Sequence, residues 1–197
     1  MTLVAGVVAV QGNVAEHVTA IERAAASVGE DVDVREVREA GVVPDCDLLA
    51  LPGGESTTIS RLLRETGIAS EICAHVDDGE PLFATCAGLI VASRDARDDR
   101  VDELELVDVA VERNAFGRQR DSFEAPLEVD GLAQPFPAVF IRAPAIDDVG
   151  DAEVLATWDG RPVAARDGPV LTTAFHPELT GDPRLHRLAF FDGDETR

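Results

Sequence analysis

Cys86 stands between a short apolar run, Leu82-Phe83-Ala84, and a run of small and apolar residues, Ala87-Gly88-Leu89-Ile90-Val91-Ala92. The first run is too short for a helix and reads as a buried strand. The second reads as the start of a buried helix. A cysteine at such a junction sits on a sharp turn, its sulfur lifted clear of the backbone and the helix N–H groups directed at it. That setting favours the thiolate, the nucleophilic form of sulfur. The small neighbours Ala84, Ala87 and Gly88 let the turn close, as in the nucleophile elbow of hydrolases. A lone free cysteine is more often a small buried hydrophobe. The case for chemistry therefore rests on a second stretch, Phe175-His176-Pro177-Glu178, ninety residues downstream.

His176 is a candidate base and Glu178 a candidate group to hold its tautomer; a nucleophile and its base need only meet in space. In an extended segment, residues two apart share a side. His176 and Glu178 are thus expected to face the same way, with Pro177 stiffening the segment. The plain alternative is a loop histidine beside a solvated glutamate.

A third stretch, Leu51-Pro52-Gly53-Gly54-Glu55-Ser56-Thr57, follows the buried strand expected at 48–51. Glycines there let backbone N–H groups face a developing oxyanion or a substrate carboxylate. Gly53 and Ala87, the residue after the cysteine, are the oxyanion candidates. The alternative is a tight turn with Ser56 as a helix N-cap. The loop lacks the G-K-[ST] ending of a phosphate-binding loop. Arg113 and Arg142 each follow a strand-like run and are candidate carboxylate clamps. For either arginine, a local salt bridge is the competing reading.

The elements that would position these residues alternate between strand and helix. Residues 3–10 are nearly all apolar and read as a central parallel strand, closed by the polar turn Gln11-Gly12-Asn13. Helices are expected at 16–28, with Val18, Ile21, Ala25 and Val28 at helical spacing, and at 57–65 and 69–76, with a short strand at 32–37. The alternation predicts a doubly wound α/β fold. Ligands in such sheets bind beyond the C-terminal strand ends, where Gln11-Gly12, 52–56 and Cys86 all fall. Residues 95–105 are expected to form an exposed loop. Six short strands follow, with a hairpin turn at Asp159-Gly160 and a closing helix over 183–191. His17, His75 and His186 fall in helical stretches and read as solvent-facing or partly packed. Neither repeats nor a low-complexity linker divide the chain, which predicts one domain over 1–197.

Composition narrows the class. With 38 acidic against 17 basic residues the net charge is −21, which disfavours nucleic acid as a partner. The acid is dispersed, as suits a high-salt cytoplasm that screens self-repulsion. All the basic residues are arginine, so the chain has no lysine for a Schiff base. Three widely spaced cysteines without a C-x-x-C pair argue against disulfides and zinc. No apolar run reaches membrane-spanning length, and the N-terminus lacks the basic region of a signal peptide. A cytoplasmic protein without a metal is expected.

Taken in order, Val10-Gln11-Gly12-Asn13, LPGGEST at 51–57, TCAGLI at 85–90, VERNAFGRQ at 111–119, FIRAP at 140–144 and FHPEL at 175–179 resemble one family. Cysteine with a downstream His-Pro-Glu resembles the class I, or triad, glutamine amidotransferases. VERNAFGRQ and FIRAP are similar to the PdxT family, the glutaminase subunit of pyridoxal 5′-phosphate synthase. The resemblance implies a three-layer, flavodoxin-like open mixed sheet with helices on both faces. It implies hydrolysis of L-glutamine to glutamate and ammonia, with no cofactor of its own and ammonia delivered to a PdxS-type synthase subunit.

By motif position, it implies Cys86 as nucleophile and His176 with Glu178 as relay. It implies glutamine binding by Gly54, Glu55, Ser56, Arg113, Ile141 and Arg142, and a partner-responsive loop at Gln11-Gly12 beside the oxyanion site. One departure stands out: the family elbow usually has glycine two residues before the cysteine, where this chain has Ala84. The competing functional readings are a glutaminase serving another synthase, such as imidazole glycerol phosphate synthase, and a non-catalytic α/β binding module.

Overall fold

The computed structural model describes residues 2–113, 115 and 122–191. Of the VERNAFGRQ stretch, Asn114 and residues 116–119 lie outside the described residues.

β1 (Leu3–Val8), β2 (Val32–Val37), β3 (Leu48–Leu51), β4 (Leu82–Thr85) and β12 (Val170–Thr173) are mutually parallel, in the order β2-β1-β3-β4-β12. This is the 2-1-3-4-5 order of the flavodoxin-like doubly wound sheet. Beyond β12 the sheet continues antiparallel through β11 (Arg161–Asp167) and β10 (Glu153–Trp158). The sheet is therefore mixed, with seven strands among the described residues. Its middle strand is β4, the strand that delivers Cys86. β1, expected at the centre, is second from one edge. Asp159 and Gly160, at φ +50° and +75°, make the tight hairpin turn between β10 and β11.

Helices cover both faces. Alternation along β1 and β3 sends Ala5, Val7, Leu48 and Ala50 to one face and Val8, Leu49 and Leu51 to the other. Against the first face lies α1 (Val14–Val28), closed by a left-handed Gly29 at φ +79°. α5 (Arg184–Phe190) packs beside it. The second face is covered by α2 (Ser56–Thr66), α3 (Ile68–Asp77) and the short α4 (Ala87–Ala92).

α1 buries Ile21 and Ala25 as expected but departs from expectation in the rest of its stripe. His17, Ala20, Ile21, Ala24 and Ala25 face inward, whereas Val28 is 39% exposed. That stripe has helical spacing, but alanine and histidine mark it weakly. His17 and His186 are thus fully buried, against the solvent-facing or partly packed reading, and His75 is nearly so. α1 and α5 shut the two residues between each other and β4.

The second half adds smaller sheets: β5 (Ser93–Asp95), β6 (Val107–Glu112) and β9 (Ala145–Val149) form one, β7 (Ser122–Leu127) and β8 (Phe136–Ile141) another. β9 has no clear signature in the sequence because two of its five residues are aspartates. Asp147 and Asp148 point outward to Arg97 and Arg94, while Ala145 and Ile146 are buried. Residues 96–105 form a loop as expected, yet Ala96 and Val101 tuck into the core.

Candidate active site

The chain turns sharply at Cys86, whose φ of +51° and ψ of −107° lie outside the ordinary regions for a side-chain-bearing residue. Holding a residue there costs about 1–3 kcal/mol. The rest of the elbow imposes it: the Cys86 N–H donates to the Thr173 carbonyl at 2.7 Å, and its carbonyl accepts from Ile90 N–H as α4 begins. A Cβ on Gly88 would lie 2.1 Å from the Leu51 carbonyl oxygen, so only glycine lets α4 start against the end of β3. Ala84 sits in extended backbone within β4, fully buried, with its methyl inside the core. The elbow thus closes with alanine there.

Cys86 and His176 line the same cavity, close enough for the cysteine to bear on the imidazole. The His176 Nδ1 is 2.7 Å from Glu178 Oε1, which leaves Nε2 for the sulfur. Strand alternation does not produce this alignment. Pro177–Leu179 is a 3-10 turn with proline in its first position, and His176 precedes it at φ −107° and ψ 85°. Proline's fixed φ favours the turn, which folds the Glu178 carboxylate back onto the ring two residues earlier. Burial pulls the His176 imidazole down, but the facing Cys86 and then Glu178 outweigh it and push it up to about 10. Burial pushes the Glu178 carboxyl up, but the His176 hydrogen bond outweighs it, helped by His17 and Asn13, and holds it at about 2. The pair is therefore an imidazolium and a carboxylate at neutral pH.

Asn13 completes this group. It takes the N-cap position of α1 but makes no capping bond with its side chain. Instead Nδ2 donates to Glu178 Oε1 at 3.0 Å. Sequence reading missed it, because an asparagine before a helix already has an explanation as a cap.

The Gly53-Gly54 loop lies against both Cys86 and His176. A Cβ on Gly53 would meet His176 Cε1 at 2.8 Å and Cys86 Cβ at 3.1 Å. Ser56 is not the N-cap of α2. That role belongs to Glu55, which accepts from Thr57 Oγ1 at 2.5 Å and from Thr58 N–H at 2.8 Å. The Thr57 and Thr58 bonds hold its carboxyl down at about 2. Ser56 is buried as the first helical residue, its hydroxyl unpartnered among the described residues.

One cavity of about 620 Å³ opens beside Cys86 and His176. Gln11, Gly12, Gly54, Glu55, Ser56 and Ala87 line it, as do Arg113, Ile141 and Arg142. Ile90 and Pro144, which sequence reading did not single out, also line it. Gly53 abuts the cysteine from behind, and Glu178 stands behind the histidine. Arg113 is not a bare cation: it pairs with Asp98 and lies 3.5 Å from Glu55. Arg142, at φ +43°, has no carboxylate partner among the described residues. A substrate carrying both a carboxylate and an amine would meet Arg142 and Glu55 within this cavity.

A family model described as the SNO glutamine amidotransferase family matches residues 7–192. A pyridoxal 5′-phosphate synthase subunit PdxT from Halobacterium salinarum is 72% identical over 193 residues, covering 98% of this chain and 95% of that relative. The PdxT subunit from Haloarcula marismortui is 70% identical over the full length of both. A solved structure described as a glutamine amidotransferase superposes with a TM-score of 0.83 at 44% identity, covering 94% of this chain and 96% of the other. PurLQS from Thermotoga maritima shares the fold at a TM-score of 0.64 and 19% identity.

Proposed function

The chain belongs to the SNO glutamine amidotransferase family, and on that premise we propose how it works. It is a glutaminase, the PdxT-type subunit of a pyridoxal 5′-phosphate synthase. Its reaction is hydrolysis of L-glutamine to glutamate and ammonia. We read residues 1–197 as one glutamine amidotransferase domain working in the cytoplasm; among the described residues no helix is long and apolar enough to cross a membrane.

Cys86 attacks the side-chain amide carbon of glutamine as the thiolate, with His176 as its imidazolium partner. The tetrahedral oxyanion is held by backbone N–H groups of the Gly53-Gly54 loop and of Ala87. His176 gives its proton to the departing ammonia. It then takes one from the water that cleaves the thioester. Glu178 keeps Nδ1 protonated and its charge balances the imidazolium. The α-carboxylate of glutamine goes to Arg142 and its amino group to Glu55, with Ile141, Arg113, Gly54 and Ser56 shaping the pocket.

One observation carries this reading: a strained cysteine facing a histidine whose far nitrogen is 2.7 Å from a buried glutamate. It favours an enzyme over a binding module that merely retains the fold. Relatives at 70% identity or more that carry the PdxT name favour this synthase over the imidazole glycerol phosphate one.

Ammonia goes to a PdxS-type subunit. Building a pyridoxal ring from sugar phosphates calls for imine chemistry at an amine, and this chain has no lysine. The Gln11-Gly12 loop is where we expect the partner to complete the oxyanion site. The test is glutamate release by the chain alone, by the chain mixed with its synthase subunit, and by Cys86→Ala in the same mixture. Full activity alone contradicts the docking step; activity in Cys86→Ala contradicts the nucleophile.

A further inference from the structure

Glu178 is served unevenly. Its side chain is wholly buried, and Oε1 takes both His176 Nδ1 at 2.7 Å and Asn13 Nδ2 at 3.0 Å. Oε2 has no hydrogen-bond partner among the described residues. A bare carboxylate oxygen in the interior is costly unless a donor or a positive edge faces it. What faces it is His17 Nε2, at 3.5 Å.

His17 has two other neighbours. Its Nε2 lies 3.1 Å from Thr85 Oγ1, and its Nδ1 lies 3.2 Å from His186 Nε2. His186 Nδ1 is buried without a partner among the described residues. Burial pulls both histidines down, His186 to about 3, so each is a neutral ring with one N–H. The groups that bear on His17 are Glu178 and His176 from the segment after β12, His186 from α5 and Glu16 on its own helix.

Two proton arrangements satisfy the contact between the rings. In the first, His186 Nε2–H donates to His17 Nδ1. His17 then carries its proton on Nε2, toward Thr85 Oγ1 and Glu178 Oε2, and the orphan His186 Nδ1 is a bare lone pair. In the second, His17 Nδ1–H donates to His186 Nε2. A lone pair of His17 then faces the carboxylate, and His186 Nδ1–H becomes a buried donor with no acceptor. The second arrangement opposes two electron-rich atoms at 3.5 Å and also strands an N–H, so the first is preferred.

We infer that His17 is a positioning residue for the glutaminase reaction: fixed as the Nε2–H tautomer by His186, it faces Glu178 Oε2 with a donor and holds that carboxylate behind His176. This rests on the reading of Cys86, His176 and Glu178 as the reacting relay. His17 touches neither substrate nor sulfur and acts only through Glu178.

The inference is tested in the complex of the chain with its synthase subunit, using His17→Phe, which removes the donor, and His17→Gln, which keeps an amide N–H. Two quantities are read: kcat and KM for glutamate release, and the pH profile of Cys86 alkylation by iodoacetamide. His17→Phe is expected to lower kcat about tenfold with KM nearly unchanged, and to move the acid limb of alkylation up by about one pH unit. His17→Gln is expected to restore most of both. A folded His17→Phe with wild-type kcat and an unshifted acid limb overturns the inference. So does equal loss in both variants, which marks a packing role alone.

If His17→Phe does not fold, nitrogen-15 spectra of the histidine rings in the unmodified chain decide. A His17 Nε2–H tautomer supports the inference and an Nδ1–H tautomer overturns it. Failure of the underlying relay reads differently: wild-type alkylation of Cys86 would then be indifferent to His176→Ala, and both readings fall together.

Discussion

Gln11 reaches across the cavity floor to Glu55: its Oε1 accepts the Glu55 N–H at 2.7 Å. That bond ties the loop after β1 to the loop after β3, in the cavity that Cys86 also lines. The two loops leave no slack. A Cβ on Gly12, at φ +106°, would fall 1.8 Å from the Gly53 carbonyl oxygen, and one on Gly54 would fall 2.8 Å from Gln11 Oε1.

Gly12→Ala is therefore expected to force the Gly53-Gly54 loop away from Cys86. Backbone strain alone costs about 1–3 kcal/mol, and the displaced loop should lower kcat for glutamate release at least about tenfold, the effect of losing one oxyanion donor or more. Steady-state kinetics of the complex, with a melting curve alongside, checks this. Wild-type kcat in Gly12→Ala would show that the contact can relax without consequence.

The three thiols should react at very different rates. Burial pushes Cys46 up to about 11 and raises Cys73, so neither is a thiolate near neutrality. Cys86 alone has an imidazolium beside it. Limiting iodoacetamide followed by peptide mass mapping should find Cys86 labelled first, with His176→Ala removing the preference. Faster labelling of Cys46 or Cys73 in the folded chain contradicts the assignment.

The pH dependence of stability has a sign on each side. His176 is raised from 6.5 to about 10, so its contribution is complete below about 6.5 and is lost as pH rises through 10. His186 is lowered from 6.5 to about 3 by burial. The unfolded chain takes that proton first, so stability falls as pH drops from 6.5 toward 3. Glu178, lowered from 4.5 to about 2, holds its contribution above 4.5 and loses it only as pH falls through 2. Melting curves of wild type and His186→Phe between pH 5 and 8 should converge toward the acid end. Parallel curves would mean that His186 is protonated equally in both states.

Salt should stabilise the fold. A net charge of −21 on 197 residues repels itself, and the screening length shrinks from about 10 Å at 0.1 M to about 3 Å at 1 M. Melting temperature is expected to climb along a potassium chloride series. A flat or falling series would show that the arginine–carboxylate pairs already neutralise the repulsion locally.

The strand–helix alternation, the elbow at Cys86 and the clustering of its neighbours at strand ends were legible because each depends on short-range pattern. The Cys86–His176–Glu178 contacts were legible as a set of residues but not as a geometry. The sequence suggests an extended segment stiffened by Pro177, whereas Pro177 starts a 3-10 turn. The roles of His17 and Asn13 were not legible: both arise from α1 and the segment after β12 meeting at a sequence separation of about 165 residues. Periodicity favoured Val18 and Val28 over the stripe of alanines that carries His17 inward, and nothing local separates a capping asparagine from one turned to a distant carboxylate. β9 was missed because its outward aspartates outweigh its buried pair.

Ala84 and Gly88 flank the same cysteine, yet the fold constrains them oppositely. Ala84 lies in register with Leu51 and its methyl fills core space, so the strand side of the elbow has room for a side chain. At Gly88 any side chain collides with the Leu51 carbonyl. Accepting one would mean prising α4 from the end of β3, the segment that leads into the Gly53-Gly54 loop. Tolerance around this nucleophile is therefore one-sided: the strand side holds a methyl in the core, while a side chain on the helix side requires residues 51 and 52 to move with it.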